Sequence, residues 1–464
     1  MKKKTSIILL ALLVVCCLPA VAATNTQELL AQKELSFNFV SILKGILGMV
    51  TLLAVAWLFS TDRKNIKWST VFKALALQFF IAISVIALPA VQYIFEFVGQ
   101  GFIAVLNWTN AGTRFLFGPL VDGSLGYIFA FSIIPTVIFF AALTSLLFYF
   151  GIIQKVVWAM GWVLTKFMNL SGAESLSCAG NIFLGQTEAP LMVKEYIPKM
   201  TNSEIMLIMV SGMSTMAGGV LAAYISMLGN GDPALELEFA KHLLSASVMA
   251  APGAIAFAKI LKPQTDEIDN SVTVSKEKIG KNALDALSNG TGEGLKLAAN
   301  IGAMLLVFYA LIAGVNSICF GFGDLINLNG VIANATDGRF AGLTIEYIMS
   351  IVFYPIIWLL GLPLEDIPLV GRLLGEKLIL TEFMGYQSLT EMIQSGAFTS
   401  SKSIVMSTYM LCGFANFASV GIIIGGVGSL APNKRPYMSQ YGFVALLGST
   451  LVALMSAVMV GMVI

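Results

Sequence analysis

Long apolar stretches recur along this 464-residue chain, parted by short polar segments, near 39–60, 70–92, 127–151, 202–229, 238–261, 293–316, 405–427 and 439–463. A helix needs about 20 apolar residues to cross the hydrocarbon core of a bilayer. The pattern therefore predicts an all-α integral membrane protein with eight transmembrane helices. Two further stretches are too apolar to be ordinary loops and too interrupted to cross. Leu170 to Pro198 is divided by Gly180, Gly185 and Pro190, and Leu343 to Phe398 by Gly361, Pro363, Pro368, Gly371, Gly375 and Gly385. Non-helical backbone survives at membrane depth only where protein or a wet cavity satisfies its polar groups. Both stretches are read as re-entrant hairpins, at 170–198 and about 366–398, with an apolar helix on the outer face near 345–360.

A weak repeat links the two. Thr187-Glu188 and Thr381-Glu382 sit in the hairpins, and each is followed about thirty residues on by a span interrupted by small and polar residues. Those interruptions are Ser211 to Gly219 and Cys412 to Ser419. The first hairpin is expected to enter from inside and the second from outside. Such a pair makes an inverted repeat, in which broken helices meet near the midplane and offer helix ends to substrate and ion.

Charge orients the pattern. With the chain starting outside, the inner segments 61–69, 152–201, 262–292 and 428–438 hold Arg63, Lys64, Lys67, Lys155, Lys166, Lys194, Lys199, Lys262, Lys276, Lys278, Lys281, Lys434 and Arg435, the cationic bias that cytoplasmic loops carry. The segment 93–126 is read as an outer loop with Arg114 as its one cation. Residues 1–22 combine Lys2, Lys3 and Lys4 with an apolar run, Pro19 and Ala20-Val21-Ala22, which is the layout of a signal peptide.

Composition agrees with lipid as the solvent: 57% hydrophobic residues, 11% charged, and a mean hydropathy of +0.85. The balance of 27 basic against 26 acidic residues argues against a nucleic-acid partner, which requires clustered cations. Cys16, Cys17, Cys178, Cys319 and Cys412 show no metal-binding spacing, and His242 is the sole histidine. The Cys are read as small apolar residues. Acid–base catalysis by Glu188 and Glu382 would call for a histidine, metal cluster or activated nucleophile alongside, so an enzyme is not expected.

The candidate chemistry lies in the hairpins and broken spans. A bare carboxylate at membrane depth is costly unless paired, solvated or protonated. Glu188, beside Gln186 and Thr187, offers donors and acceptors suited to hydroxyls and amides, as in a sugar or a base edge. Glu382 supplies a matching acceptor for a pair of ribose hydroxyls. The alternative for each Glu is an ion pair with Lys194 or Lys377. Asn416 and Ser419, three residues apart, share a helix face near Phe414, as a base-binding edge or as interhelical polar contacts. Asn181, ahead of Leu184, and Thr215-Met216 could place neutral oxygens around a small hard cation, with sodium the natural candidate.

At these residues the chain resembles the concentrative nucleoside transporters. The strings are Gly185-Gln186-Thr187-Glu188-Ala189-Pro190, Met216-Ala217-Gly218-Gly219-Val220-Leu221-Ala222, Met249-Ala250-Ala251-Pro252-Gly253, Glu382-Phe383 and Gly413-Phe414-Ala415-Asn416-Phe417, in the family's order and spacing over about 36–464. The resemblance implies a homotrimer in the inner (cytoplasmic) membrane, working as a nucleoside:sodium symporter by an elevator motion; proton coupling is the alternative. It implies scaffold helices and an interfacial segment in 36–126. The third span and first transport half fall in 127–262, a cytoplasmic loop and scaffold helix in 263–342, and the second transport half in 343–464. It assigns Gln186, Thr187, Glu188 and Val220 to the base, and Glu382, Asn416 and Ser419 to the ribose, with Phe414 lining the pocket. Asn181, Leu184, Thr215 and Met216 would surround the sodium ion. Thr381 stands where the family often has Asn, Thr215 where it has Ser, and Met216 where it has Ile. The hydroxyl and both carbonyls persist at the ion position, which favours sodium over a proton.

Overall fold

The computed structural model describes residues 39–121, 128–269, 280–336 and 338–464, and the described residues are helical and irregular throughout, without strands. The signal-like segment 1–22 lies outside them. The helices run α1 (Phe39–Leu58), α2 (Trp68–Ala87), α3 (Pro89–Phe117), α4 (Phe129–Tyr149), α5 (Ile152–Met168), α6 (Gly172–Gly180), α7 (Asn202–Ser214), α8 (Gly218–Gly229), α9 (Pro233–Leu261) and α10 (Ala283–Leu325). They continue with α11 (Leu328–Ala335), α12 (Ile345–Trp358), α13 (Ile367–Ile379), α14 (Glu382–Gln394), α15 (Ser401–Leu411), α16 (Phe417–Leu430) and α17 (Arg435–Gly461).

Seven of the eight expected spans coincide with helical segments long and apolar enough to cross a membrane, and the eighth, 405–427, is the interrupted pair α15 and α16. The segment 93–126 differs from expectation. Most of it is the 29-residue helix α3, which with its 3-10 extension to Val121 has the length and composition of a span. Its polar residues Gln92, Glu96, Gln100, Asn107, Asn110 and Arg114 masked a helical spacing of apolar ones, Ile94, Phe95, Val98, Phe102, Val105 and Leu106. One of those polar groups is paired: Lys241 Nζ on α9 meets Glu96 at 3.3 Å. The apolar helix expected near 345–360 is α12.

Burial sorts the helices into an inner and an outer set. In the apolar window of α9, 94% of residues are buried, and 83% in those of α7–α8 and α17, against 6% in α10 and 11% in α3. Helices α7, α8, α9 and α17 thus form the centre. Helix α10 touches the body chiefly through α4. That contact depends on small residues: a Cβ at Gly290 would fall 2.8 Å from Ala141 O, and one at Gly294 2.9 Å from Ile138 Cα. Ser145 Oγ also donates to Ala286 O at 2.7 Å. Small residues that let backbones approach are how helices associate in lipid, where burial of apolar area gives no advantage over lipid contact.

Local signals fix the inner helices. Capping boxes start α6 and α7, where Ser171 pairs with Glu174 and Thr201 with Glu204; each satisfies two of the orphan donors at a helix start. Asp232 caps α9 through Ala234 N at 2.8 Å, followed by Pro233. Glu174 also binds Lys259 Nζ at 2.6 Å with both side chains buried, and Ser203 Oγ accepts from the same ammonium at 3.2 Å. One arm, one half-helix and α9 are tied together at that point.

Candidate functional site

Two chain segments repeat the same order of parts. In the first, α6 ends at Gly180, a turn carries Thr187-Glu188, short 3-10 turns lead back, and α7 stops at Ser214 before α8 begins at Gly218. In the second, α13 ends at Ile379, Thr381-Glu382 opens α14, and α15 stops at Leu411 before α16 begins at Phe417. The interruptions predicted at 211–219 and 412–419 therefore narrow to 215–217 and 412–416.

The two interruptions touch. Gly413 has φ +92°, and a Cβ there would fall 2.4 Å from Ser214 O. Only glycine combines that left-handed backbone with so close an approach. The first turn also reaches this junction, since Gly218 N donates to Phe183 O at 3.1 Å. Thr187 packs on α16, where a Cβ at Gly426 would meet its Cγ2 at 2.5 Å.

Glu382 is the focus of the junction. Its side chain is buried, Tyr224 Oη donates to Oε1 at 3.1 Å, and Asn416 Nδ2 donates to Oε2 at 2.8 Å. Asn416 is itself held, because its Oδ1 caps α16 by accepting from Ser419 N at 2.9 Å. That bond fixes which face of the amide meets the carboxylate. Ser419 Oγ in turn accepts from Gln186 Nε2 at 3.4 Å. Gln186, Ser419, Asn416 and Glu382 thus form one chain of polar contacts from the first turn to the second. Gln186 Oε1 has no hydrogen-bond partner among the described residues although it is buried, a free acceptor at the end of that chain.

The other expected residues are placed less directly. Glu188 is exposed and accepts from Gly185 N at 3.1 Å. Val220 is buried near the start of α8, and Phe414 is half-buried within the second interruption. The alternative pairing of Glu382 with Lys377 is not the arrangement present, since the Lys377 ammonium donates to Met410 O at 2.8 Å and Cys412 O at 2.9 Å. Tyr224 was not singled out from the sequence. Its signal was available, a lone Tyr one helical turn beyond Val220 on a half-helix of small and aliphatic residues.

Two of the expected cation ligands, Asn181 and Thr215, meet at Ser211, and Leu184 and Met216 are buried nearby in sequence. Asn181 is fully buried beyond the end of α6, with Nδ2 donating to Ser211 Oγ at 3.0 Å. Its Oδ1 has no hydrogen-bond partner among the described residues. Thr215 Oγ1 donates to Ser211 O at 3.0 Å, and a hydroxyl that donates once still has lone pairs with which to accept. A buried, unspent amide oxygen beside the end of a half-helix fits a monovalent cation held by neutral oxygens. No cluster of three or more His, Cys, Asp or Glu suited to a metal ion occurs among the described residues.

Comparison with known proteins gives a consistent result. Family profiles match residues 47–120 (Na+ dependent nucleoside transporter N-terminus), 130–231 (nucleoside recognition) and 242–461 (Na+ dependent nucleoside transporter C-terminus). The nucleoside permease NupC of Helicobacter pylori is 35% identical over 430 residues, covering 91% of this chain and 98% of the relative. The sodium/nucleoside cotransporter 1 of Rattus norvegicus is 35% identical over 430 residues, 89% of this chain and 62% of the relative. Among solved structures, CNTnw in an inward-facing substrate-bound state aligns with TM-score 0.82 at 35% identity, covering 91% of this chain and 98% of that one.

Proposed function

The chain belongs to the Na+ dependent nucleoside transporter family, and from that premise we propose that it is a secondary active nucleoside:sodium symporter importing nucleosides through the junction of its two interrupted helices. It is a multi-pass membrane protein, and its relatives are transporters rather than enzymes. The single observation that carries the substrate assignment is the state of Glu382: a buried carboxylate oriented by Tyr224 and Asn416, while the Lys377 ammonium is hydrogen-bonded to Met410 O and Cys412 O instead. An ionised carboxylate retains lone pairs beyond those two bonds. Paired ribose hydroxyls can donate to them, and hydrogen bonds to charged groups are the strong ones.

In this reading Glu382, Asn416 and Ser419 hold the ribose, and Gln186, Thr187, Glu188 and Val220 meet the base with Phe414 along the pocket. The free Oε1 of Gln186 supports a base contact, because a base-edge amine would satisfy it. Asn181, Leu184, Thr215 and Met216 hold the sodium, which is co-transported cargo. Asn181 lies five residues before Gln186 on the same turn, so fixing the turn around the ion also fixes Gln186 for the base. Each ligand then strengthens binding of the other by the same factor.

The interrupted helices and the two turns form re-entrant hairpins with inverted orientation, and the inner bundle moves against α4 and α10 as an elevator. The sparse contact of α10 with the body supports that division. Its exposed apolar residues, such as Leu306, Ile318 and Leu325, suit contact with lipid or with another protein, and a homotrimer is the assembly that the family resemblance implies. The inner membrane is the expected location.

The assignment of Glu382 is tested by titrating uridine, and its free base, into purified protein and into Glu382→Gln, in sodium and in choline. Losing a charge-assisted bond costs about 1.5–3 kcal/mol, so uridine should weaken roughly ten- to a hundredfold while the free base changes little. Equal weakening of both would remove Glu382 from the ribose site.

A further inference from the structure

We propose that Lys377 is a resident cation, its ammonium filling in the second half of the molecule the position that the coupling sodium takes in the first. The inference rests on the sodium reading above and deepens it, for it fixes where a coupling ion can bind.

The two halves share an order of parts, and their interruptions correspond: α7 ends at Ser214 before Thr215-Met216, and α15 ends at Leu411 before Cys412-Gly413. A half-helix that stops inside a membrane leaves carbonyls without intrahelical donors, at the negative end of its dipole. In hydrocarbon each such group is costly unless satisfied. In the second half the donor is identified. Lys377, from the last turn of α13, is fully buried and donates to Met410 O and Cys412 O. Its counterpart in the first half is not a cation. The α6 arm there offers Asn181, buried, with Oδ1 unspent, and that arrangement needs a cation from outside.

The difference has a functional consequence. An ammonium covalently fixed to α13 cannot be exchanged, so it stabilises the second interruption in every state of the cycle. A sodium ion at Asn181 can leave, and only the first half couples to a gradient. Removing the Lys377 ammonium should uncover a second set of carbonyls suited to a monovalent ion. A role limited to capping α15 would leave the number of transported charges unchanged.

The test counts ions. Full-length protein in proteoliposomes is assayed for sodium and uridine uptake, with the charge per uridine obtained from the membrane potential that just cancels the gradient. The unsubstituted protein should move one sodium per uridine. Lys377→Ala should need two, with its sodium dependence turning from hyperbolic to sigmoidal, and methylammonium should restore the hyperbolic form; Lys377→Arg should keep it. A folded Lys377→Ala that still moves one charge per uridine, with a hyperbolic sodium dependence, overturns the proposal. Should that variant not fold, the unsubstituted protein decides: one charge per uridine supports the inference and two overturns it. Sodium-independent uptake by the unsubstituted protein would fail the symport reading alone. Gain of sodium dependence on Lys377→Ala would still uphold the resident cation, and its absence would sink it.

Discussion

Tyr224 on α8 donates its hydroxyl to Glu382 at 3.1 Å across a sequence separation of 158 residues, joining the helix after the first interruption to the start of α14. The Tyr224 ring also stacks on Tyr386 with centroids 4.2 Å apart. The hydroxyl orients and the ring packs, so the two contributions are separable. Tyr224→Phe keeps the stacking and removes one bond to the carboxylate. Uridine affinity should fall about tenfold, as expected for a hydrogen bond to a charged group, with thermal stability little changed. Isothermal titration and a melting curve on the same preparation check it; an unchanged affinity would detach Tyr224 from the site.

Asn181→Ala removes the unspent oxygen at the first interruption. The half-saturating sodium concentration should rise at least several-fold, while uridine affinity at saturating sodium stays near that of the parent, because coupling acts through ion occupancy. Sodium titrations of uridine binding test this. A loss of uridine affinity that no sodium concentration restores would make Asn181 structural.

Gly413→Ala should destabilise strongly. The added methyl meets Ser214 O, and φ +92° is costly for any residue with a Cβ, of order 1–3 kcal/mol for the backbone alone. A lowered melting temperature and reduced uptake are expected together. A variant of parental stability would mean that the two interruptions do not press on one another.

Glu174→Gln tests a part of the molecule outside the candidate site. Breaking a buried ion pair by removing one partner costs about 3–5 kcal/mol, whereas replacing both can be near neutral. The single variant should melt far below the parent, and Glu174→Gln with Lys259→Met should recover most of the loss. Failure of the double variant to recover would show that the Lys259 contact to Ser203 matters more than the charge pair.

Much of the fold was legible because long apolar runs, broken by Gly and Pro, carry their own explanation in lipid. The interruptions at 215–217 and 412–416 lie inside the stretches read from small and polar residues. Helix α3 was missed because its polar residues, once helical, are spread among apolar ones and one of them, Glu96, is paired to Lys241; sequence shows the residues and not the pairing. At the site, Glu382, Asn416, Ser419 and Gln186 were legible as polar groups where apolar ones were expected. Tyr224 was not, since an aromatic on a half-helix reads as packing, and Lys377 was legible only as an ion-pair partner for Glu382, not as the donor to Met410 O and Cys412 O that it is. Their roles come from partners more than thirty residues away.

Coupling is measured most directly by labelled uridine accumulation in proteoliposomes at fixed pH, with an inward sodium gradient, with potassium in place of sodium, and with a pH step alone. Uptake above equilibrium should occur only with the sodium gradient. Equal uptake in all three conditions, or accumulation driven by the pH step alone, would contradict sodium symport.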